Sequence, residues 1–409
     1  MADSPTRTAG TPTRPACPVS LPTAREHALD PPRRFAELRE ESPITRLALP
    51  DGTEGWLVTD YELACDVLAD QRFSARQDLR VPPGGQEPPP PAAPGFFVRM
   101  DAPEHTRYRR HLAGQFTRRR MALLEPRVAE IAEEYAERMA AGGAPADLVR
   151  DYALPVPSLV VCELLGVPYA ERDRFQRDTA VAFDVEQPAE RVTAALSDLS
   201  AFLADLVRSR SRSPREDLVS GLLGTGDLTE EEVTAMTFLL LVAGHETTAS
   251  MLSLGVFALL TGPAGWRGAL TGPDRRRSER VVDELLRHLT IMQFGAMRVA
   301  REDLEVRGER VRAGEAVVVS LAAANRDPRA FPEPDALDPD RERPMHLAFG
   351  VGAHHCLGHQ LARMELRIGY GALFRRLPDL RLAVAPRNVR MRDASAVYGV
   401  QSLPVAWGA

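Results

Sequence analysis

Apolar residues recur at three- and four-residue spacing over most of the chain from residue 33 onward, the signature of amphipathic helices. The spacing predicts helices over 61–69, 104–117, 121–141, 156–165, 170–183, 188–209, 215–223 and 278–289, with a short strand at 56–59. One segment is different in kind. Thr229 followed by Glu232 forms a capping box, and the run it opens, LTEEEVTAMTFLLLVAGHETTASMLSLGVFALLTG, stops at Gly262-Pro263. A helix over 229–260 spans about 48 Å at 1.5 Å per residue. It is apolar nearly all round in its middle, so it is predicted to cross the core. Beyond residue 290 the period changes. Strands are predicted around 296–300, 304–307 and 316–320, then an irregular Pro/Asp-rich stretch at 325–345. A Gly-rich loop follows, then a helix over 357–376 and short closing strands.

The organisation this predicts is a single mainly helical domain with a small β portion, over 30–409, behind a disordered tail at 1–29. Seven prolines and three glycines crowd residues 81–95, a loop long enough to read as a functional lid. No internal repeat or interdomain linker is visible. The 409 residues are 44% hydrophobic and 26% charged, as in ordinary soluble domains. A net charge of −6 implies no nucleic-acid partner. All 51 basic residues are arginine. Without lysine, Schiff-base chemistry and a Walker-type phosphate loop are excluded. Cys17, Cys65, Cys162 and Cys356 are isolated, with no disulfide framework. The start has no apolar signal region, and no unbroken apolar run reaches the ~20 residues of a membrane span, so a cytoplasmic monomer is expected.

The loop from Phe349 to Gly358, FGVGAHHCLG, has four readings. A dinucleotide fingerprint fails because His355 occupies its third glycine position. A zinc site could use His355, Cys356 and His359, though no second Cys/His pair is near. A buried cysteine at a helix start, with glycines serving the turn, is the plainest reading. The fourth is a thiolate ligand to haem iron, favoured by the helix N-terminus, with Gly350 and Gly352 admitting a flat macrocycle and Gly358 close helix packing.

This loop resembles the haem-binding signature of cytochrome P-450, Phe-x-x-Gly-x-His/Arg-x-Cys-x-Gly, at every defined position. Of four E-x-x-R tetrads in the chain, Glu284–Arg287 stands where that family places its buried lock. The family's usual third partner, an arginine, is replaced by Ala336, and Arg341 is a candidate substitute. Ala243-Gly244-His245-Glu246-Thr247-Thr248 is similar to the family's oxygen-binding segment, which implies Glu246 and Thr247 as the catalytic proton-delivery pair. His105, Arg109, Arg298 and His354 match positions that hold the haem propionates, and Cys356 the iron ligand. DVLADQRFSAR, HTRYRR and VYGVQSLPVAW resemble the soluble bacterial branch, particularly actinomycete tailoring enzymes.

The resemblance implies haem b, O2 and NAD(P)H-derived electrons delivered by a ferredoxin and its reductase, since no flavin or nicotinamide segment is present. The expected reaction is hydroxylation or epoxidation of an apolar secondary metabolite, such as a polyketide, macrolide or steroid-like molecule, in antibiotic biosynthesis. A peroxide-driven peroxygenase and a non-catalytic haem sensor are the alternatives. Residues 81–98, with Phe96, Phe97 and Val98, and the stretch Ile291, Met292 and Phe294 are expected to line the pocket. Arg107, Arg110 and Arg363 are candidates for ferredoxin docking.

Overall fold

The long apolar run folds as a single helix, Glu230–Thr261. Both arms of its capping box are made: Thr229 Oγ1 accepts from Glu232 N at 3.2 Å, and Glu232 Oε2 accepts from Thr229 N at 2.9 Å. By length and composition it could cross a membrane, contrary to the reading that no run suffices, but 67% of its apolar window is buried within the protein. Burial on all sides is what makes its sequence apolar all round.

The computed structural model describes residues 18–408 apart from 50, 82–86, 172, 174, 176, 179–180, 182–186 and 343–344. Helices Glu104–Ala113, Arg118–Gly142, Pro155–Leu165, Ala189–Arg212, Arg275–Leu289 and His359–Arg376 match predicted segments within a few residues. Half of the residues of the helix expected over 170–183 lie outside the described residues. Gly265–Thr271 is a helix the pattern did not signal, because it is short and glycine-interrupted.

The β portion is mainly one six-stranded sheet, ordered Val19–Ser20, Ile44–Ala48, Glu54–Val58, Ala316–Val319, Ala296–Ala300, Phe73–Ser74. Ile44–Ala48, missed in the sequence, pairs antiparallel with Glu54–Val58 from Ile44↔Val58 to Ala48↔Glu54. The expected disordered tail also needs correction from residue 18 onward. Val19 pairs in parallel with Leu47, and the Arg25 guanidinium lies 3.6 Å from the Tyr398 ring centroid, so these residues are held by partners remote in sequence. Residues 1–17 fall outside the description.

The largest hydrophobic core joins the second half of the long helix to Arg118–Gly142, Arg275–Leu289 and His359–Arg376. Two tyrosines clasp it. Tyr370 donates to Met251 O and Tyr152 to Gly369 O, each at 2.7 Å. Gly255 is required there, because a Cβ would collide with the Tyr370 hydroxyl. The Tyr370 bond fixes the helix after Cys356 against the helix carrying Glu246 and Thr247, and the Tyr152 bond ties it to the turn Val149–Ala153.

Candidate functional site

The cysteine loop is closed by its own backbone. Gly350 N donates to Leu347 O at 2.9 Å, His355 N to Gly352 O at 3.0 Å and Cys356 N to Phe349 O at 2.9 Å. Gly350 and Gly352 adopt φ of 67° and 78°, a region open to glycine at little cost. Gly352 serves helix Tyr61–Ala69: its Cβ would meet Leu68 O at 2.7 Å. Gly358 has open space beside it, so close helix packing is not its reason. Cys356 is exposed on one side, yet the protein around its sulphur is enough for burial to push its pKa up. The N–H groups of Gly358 and His359 and the charges of Arg109 and Arg363 oppose that rise. The N–H groups at the helix N-terminus lower the thiol pKa, as expected, but by less than desolvation raises it, so the net shift is upward.

Four predicted residues converge beside this loop. The rings of His105 and His354 lie 4.2 Å apart, centroid to centroid. Arg109 donates to His355 O, tying the His105 helix to the cysteine loop. Arg298, on Ala296–Ala300, is buried, and its guanidinium bonds Met297 O at 3.0 Å. Burial first, then the charge of Arg109, lowers the His105 pKa. Burial, His105 and Arg298 push His354 down to about 3. Asp101 opposes both shifts. It is held by Ser74 and by Ala75 N at 2.9 Å, and the sequence reading passed over it.

Glu246 and Thr247 lie where the long helix opens inward. Ala243 is exposed although Leu241, His245 and Thr248 around it are buried. Thr247 Oγ1 donates to Ala243 O at 2.6 Å, the four-back bond expected of it. Glu246 does not engage Thr247. Its Oε1 accepts from Arg392 at 2.5 Å, a partner no motif signalled because it lies 146 positions away in an irregular stretch. Burial pushes His245 down to about 4, so it is neutral at pH 7. Among the described residues no group of three or more His, Cys, Asp or Glu could hold a metal ion, which leaves the zinc reading without support.

The buried lock is complete. Arg287 Nη2 and Nε reach the two Glu284 oxygens at 2.7 and 2.9 Å, and Nη1 donates to Asn325 O and Pro334 O at 2.9 Å each. Arg341 supplies the third member, 3.4 Å from Glu284 Oε1, while the Ala336 carbonyl accepts from Arg287 at 3.1 Å and Arg341 at 2.9 Å. The docking arginines fare less well. Arg107 pairs with Glu232 at 2.6 Å and Arg363 with Asp283 at 2.6 Å, so both are committed inside the protein. Hydrogen bonds from Arg107, then Tyr108 and Thr229 N, hold Glu232 down at about 2.

Comparison with known proteins decides the family. Residues 278–387 match the Cytochrome P450 family. The chain is 47% identical over 393 residues to Cytochrome P450 105C1 of Streptomyces sp, covering 96% of this chain and 99% of the relative. The chain belongs to the cytochrome P450 family. It is also 40% identical over 401 residues to the Mycinamicin IV hydroxylase/epoxidase of Micromonospora griseorubida, covering 95% and 99%. The crystal structure of cytochrome P450 MoxA from Nonomuraea recticatena superposes with a TM-score of 0.88 at 40% identity, covering 96% and 99%.

As a P450, the protein is a haem-thiolate monooxygenase that uses haem iron, O2 and electrons from external redox partners. Its residues fit that cofactor. Buried Arg298 and the two histidines share one nearby acid, Asp101, half-buried Arg109 stands beside them, and His105 Nε2 is buried without a hydrogen-bond partner among the described residues. Such an excess of donors and positive charge suits the two carboxylates of a haem. Cys356 is a free cysteine, exposed beside this cluster.

Proposed function

We propose that Cys356 ligates the haem iron and that His105, Arg109, Arg298 and His354 hold the propionates. The observation that carries this reading is the convergence of those four donors, drawn from three separate stretches of chain, on the loop that presents Cys356. Bound there, haem supplies the redox centre at which O2 is reduced and one oxygen atom passes to the substrate while the other leaves as water.

The chain's own residues do the rest. The small side of the long helix at Ala243 and Gly244 leaves room for O2. Thr247 holds a proton at its hydroxyl, and Glu246, the ionisable group next to it, replaces that proton. Arg287, locked to Glu284 and to three meander carbonyls, fixes the proximal side.

The substrate in this reading is a bulky apolar secondary metabolite that is hydroxylated or epoxidised. Val98 and Phe294 present exposed apolar surface from two of the segments expected to line the pocket. An open pocket of about 430 Å3 lies between Ala93 and Phe96, Ala204 and Arg208 on Ala189–Arg212, and Glu230, Glu231, Ala235 and Phe238 on the long helix. Electrons come from a ferredoxin.

The deciding experiment is optical. The reduced protein under CO should show the red-shifted Soret band of a thiolate-ligated haem, and Cys356→Ala should lose it while still folding. Retention of the band in Cys356→Ala would refute the assignment. Thr247→Ala should keep the band but divert NADH-derived electrons into hydrogen peroxide. Unchanged product yield would remove the proton-delivery role.

A further inference from the structure

The acid and the alcohol of the proton-delivery pair are each occupied elsewhere: Thr247 with Ala243 O, Glu246 with Arg392. The Arg392 pair is largely buried, with side-chain exposures of 11% and 18%, so solvent screens it weakly. What matters is where Arg392 comes from. It follows the strand Arg390–Met391, which pairs antiparallel with Val400–Ser402. Its N–H donates to Gly399 O at 3.0 Å, which places it at the root of a hairpin near the end of the chain. Gly399 lies so close to Ser250, one turn beyond Glu246, that a Cβ would meet the Ser250 hydroxyl at 2.8 Å.

The tip of the same hairpin is fastened to the segment carrying Phe294. Gln293 N donates to Ala396 O at 2.9 Å, and its side-chain amide donates to Asp393 O at 2.5 Å and Ser395 O at 3.1 Å. Tyr398 N donates to Ile291 O at 2.7 Å, and Met292 bridges Val397. Phe294, the next residue, is exposed. One hairpin therefore touches the segment expected to line the pocket at its tip and the proposed proton donor at its root. Of the titratable groups nearby, Asp393 acts on Arg25 and Tyr398, and His245 is neutral.

We propose that Arg392 is a positioning residue for Glu246: it holds the carboxylate toward the hairpin and off Thr247, and filling the pocket at Phe294 shifts the hairpin and releases it. The inference rests on the reading of Glu246 as the proton donor and adds what controls it. The carboxylate is held away while the pocket is empty and freed when a molecule presses on the Phe294 segment. Reciprocity then requires that the ion pair weaken pocket binding, because the ligand must displace the latch.

The test is a double-mutant cycle on the affinity of the haem-loaded protein for 4-phenylimidazole, a pocket-filling probe, read by optical titration. Arg392→Gln and Glu246→Gln should each tighten binding by about fivefold or more, the lower end of typical coupling between sites. The double variant should bind no tighter than either single, because both remove one interaction. Arg392→Lys, which keeps the charge, should return affinity toward wild type, a rescue that a purely structural role would not show. Equal or weaker binding by Arg392→Gln, or single effects that add in the double variant, would overturn the proposal. Should Arg392→Gln not fold, Glu246→Gln against Arg392→Lys decides: the first must tighten binding and the second must not. Full product formation by Glu246→Gln would sink the proton-donor reading while leaving the affinity cycle intact.

Discussion

Glu365 is a carboxylic acid in the core, 4% exposed on helix His359–Arg376, with Oε2 unpartnered among the described residues. Burial alone raises its pKa well above the ordinary carboxylate value. Such a group keeps its proton in the folded state where the unfolded chain has already lost it. Stability is therefore present below the unfolded pKa near 4.5 and falls as pH rises above it. His245 works in the opposite window. Its folded pKa of about 4 lies below the unfolded value of 6.5, so the unfolded chain binds protons first on acidification. Stability is full above about pH 6.5 and declines toward pH 4, by on the order of 3 kcal/mol. Glu365→Gln should raise the urea midpoint at pH 7 and flatten its fall at higher pH. His245→Gln should flatten the acid limb between pH 6.5 and 4. Unfolding titrations across pH 4–9 check both, and unchanged slopes would contradict the assigned protonation states.

At the scale of elements, the long helix and the helix after Cys356 are held in register by the Tyr370 clasp over Gly255. Gly255→Ala should cost about 1–3 kcal/mol by overpacking. Because the clasp spans both helices of the site, the loss should also appear as faster haem release. Tyr370→Phe should cost about 1 kcal/mol, the worth of one hydrogen bond, and speed haem release less than Gly255→Ala, since it adds no overpacking. The buried lock allows a sharper comparison. Removing Arg287 strands Glu284 as an uncompensated buried charge and should cost about 3–5 kcal/mol. Arg341→Ala leaves that pair intact and should cost less, since its 3.4 Å contact is the weakest of the three. Denaturant midpoints of the two variants test the order, and an equal loss would show that Arg341 shares the charge fully.

For the whole molecule, the arginines expected to meet a ferredoxin divide by what they already touch. Arg107 binds the first turn of the long helix and Arg363 binds Asp283, whereas Arg110 is exposed and has no acidic partner among the described residues. Arg110→Glu should raise the KM for ferredoxin several-fold at low salt, and the difference should shrink as salt screens the encounter. Arg107→Glu should instead destabilise the fold, because it opposes Glu232 at 2.6 Å. A salt-independent effect at Arg110 would place docking elsewhere.

Much of this protein was legible in the sequence because its signals are local. The capping box, the helical periods, the Phe349–Gly358 loop and the Glu284–Arg287 pair each lie within one or two turns of chain, where spacing alone fixes which side chains meet. Positions defined by those motifs converge as expected: His105, Arg109, Arg298 and His354 gather beside Cys356. The tertiary structure decided the partners that lie far apart in sequence. It paired Arg107, a docking candidate, with Glu232 and gave Arg341 the place an arginine at 336 would fill. It drew residues 18–29 onto the sheet and the chain terminus, and set Arg392 against Glu246 across 146 positions. No periodicity encodes such pairs. They form because burial excludes water from charged groups, and each charge then binds whatever opposite charge or carbonyl the packed elements bring within reach.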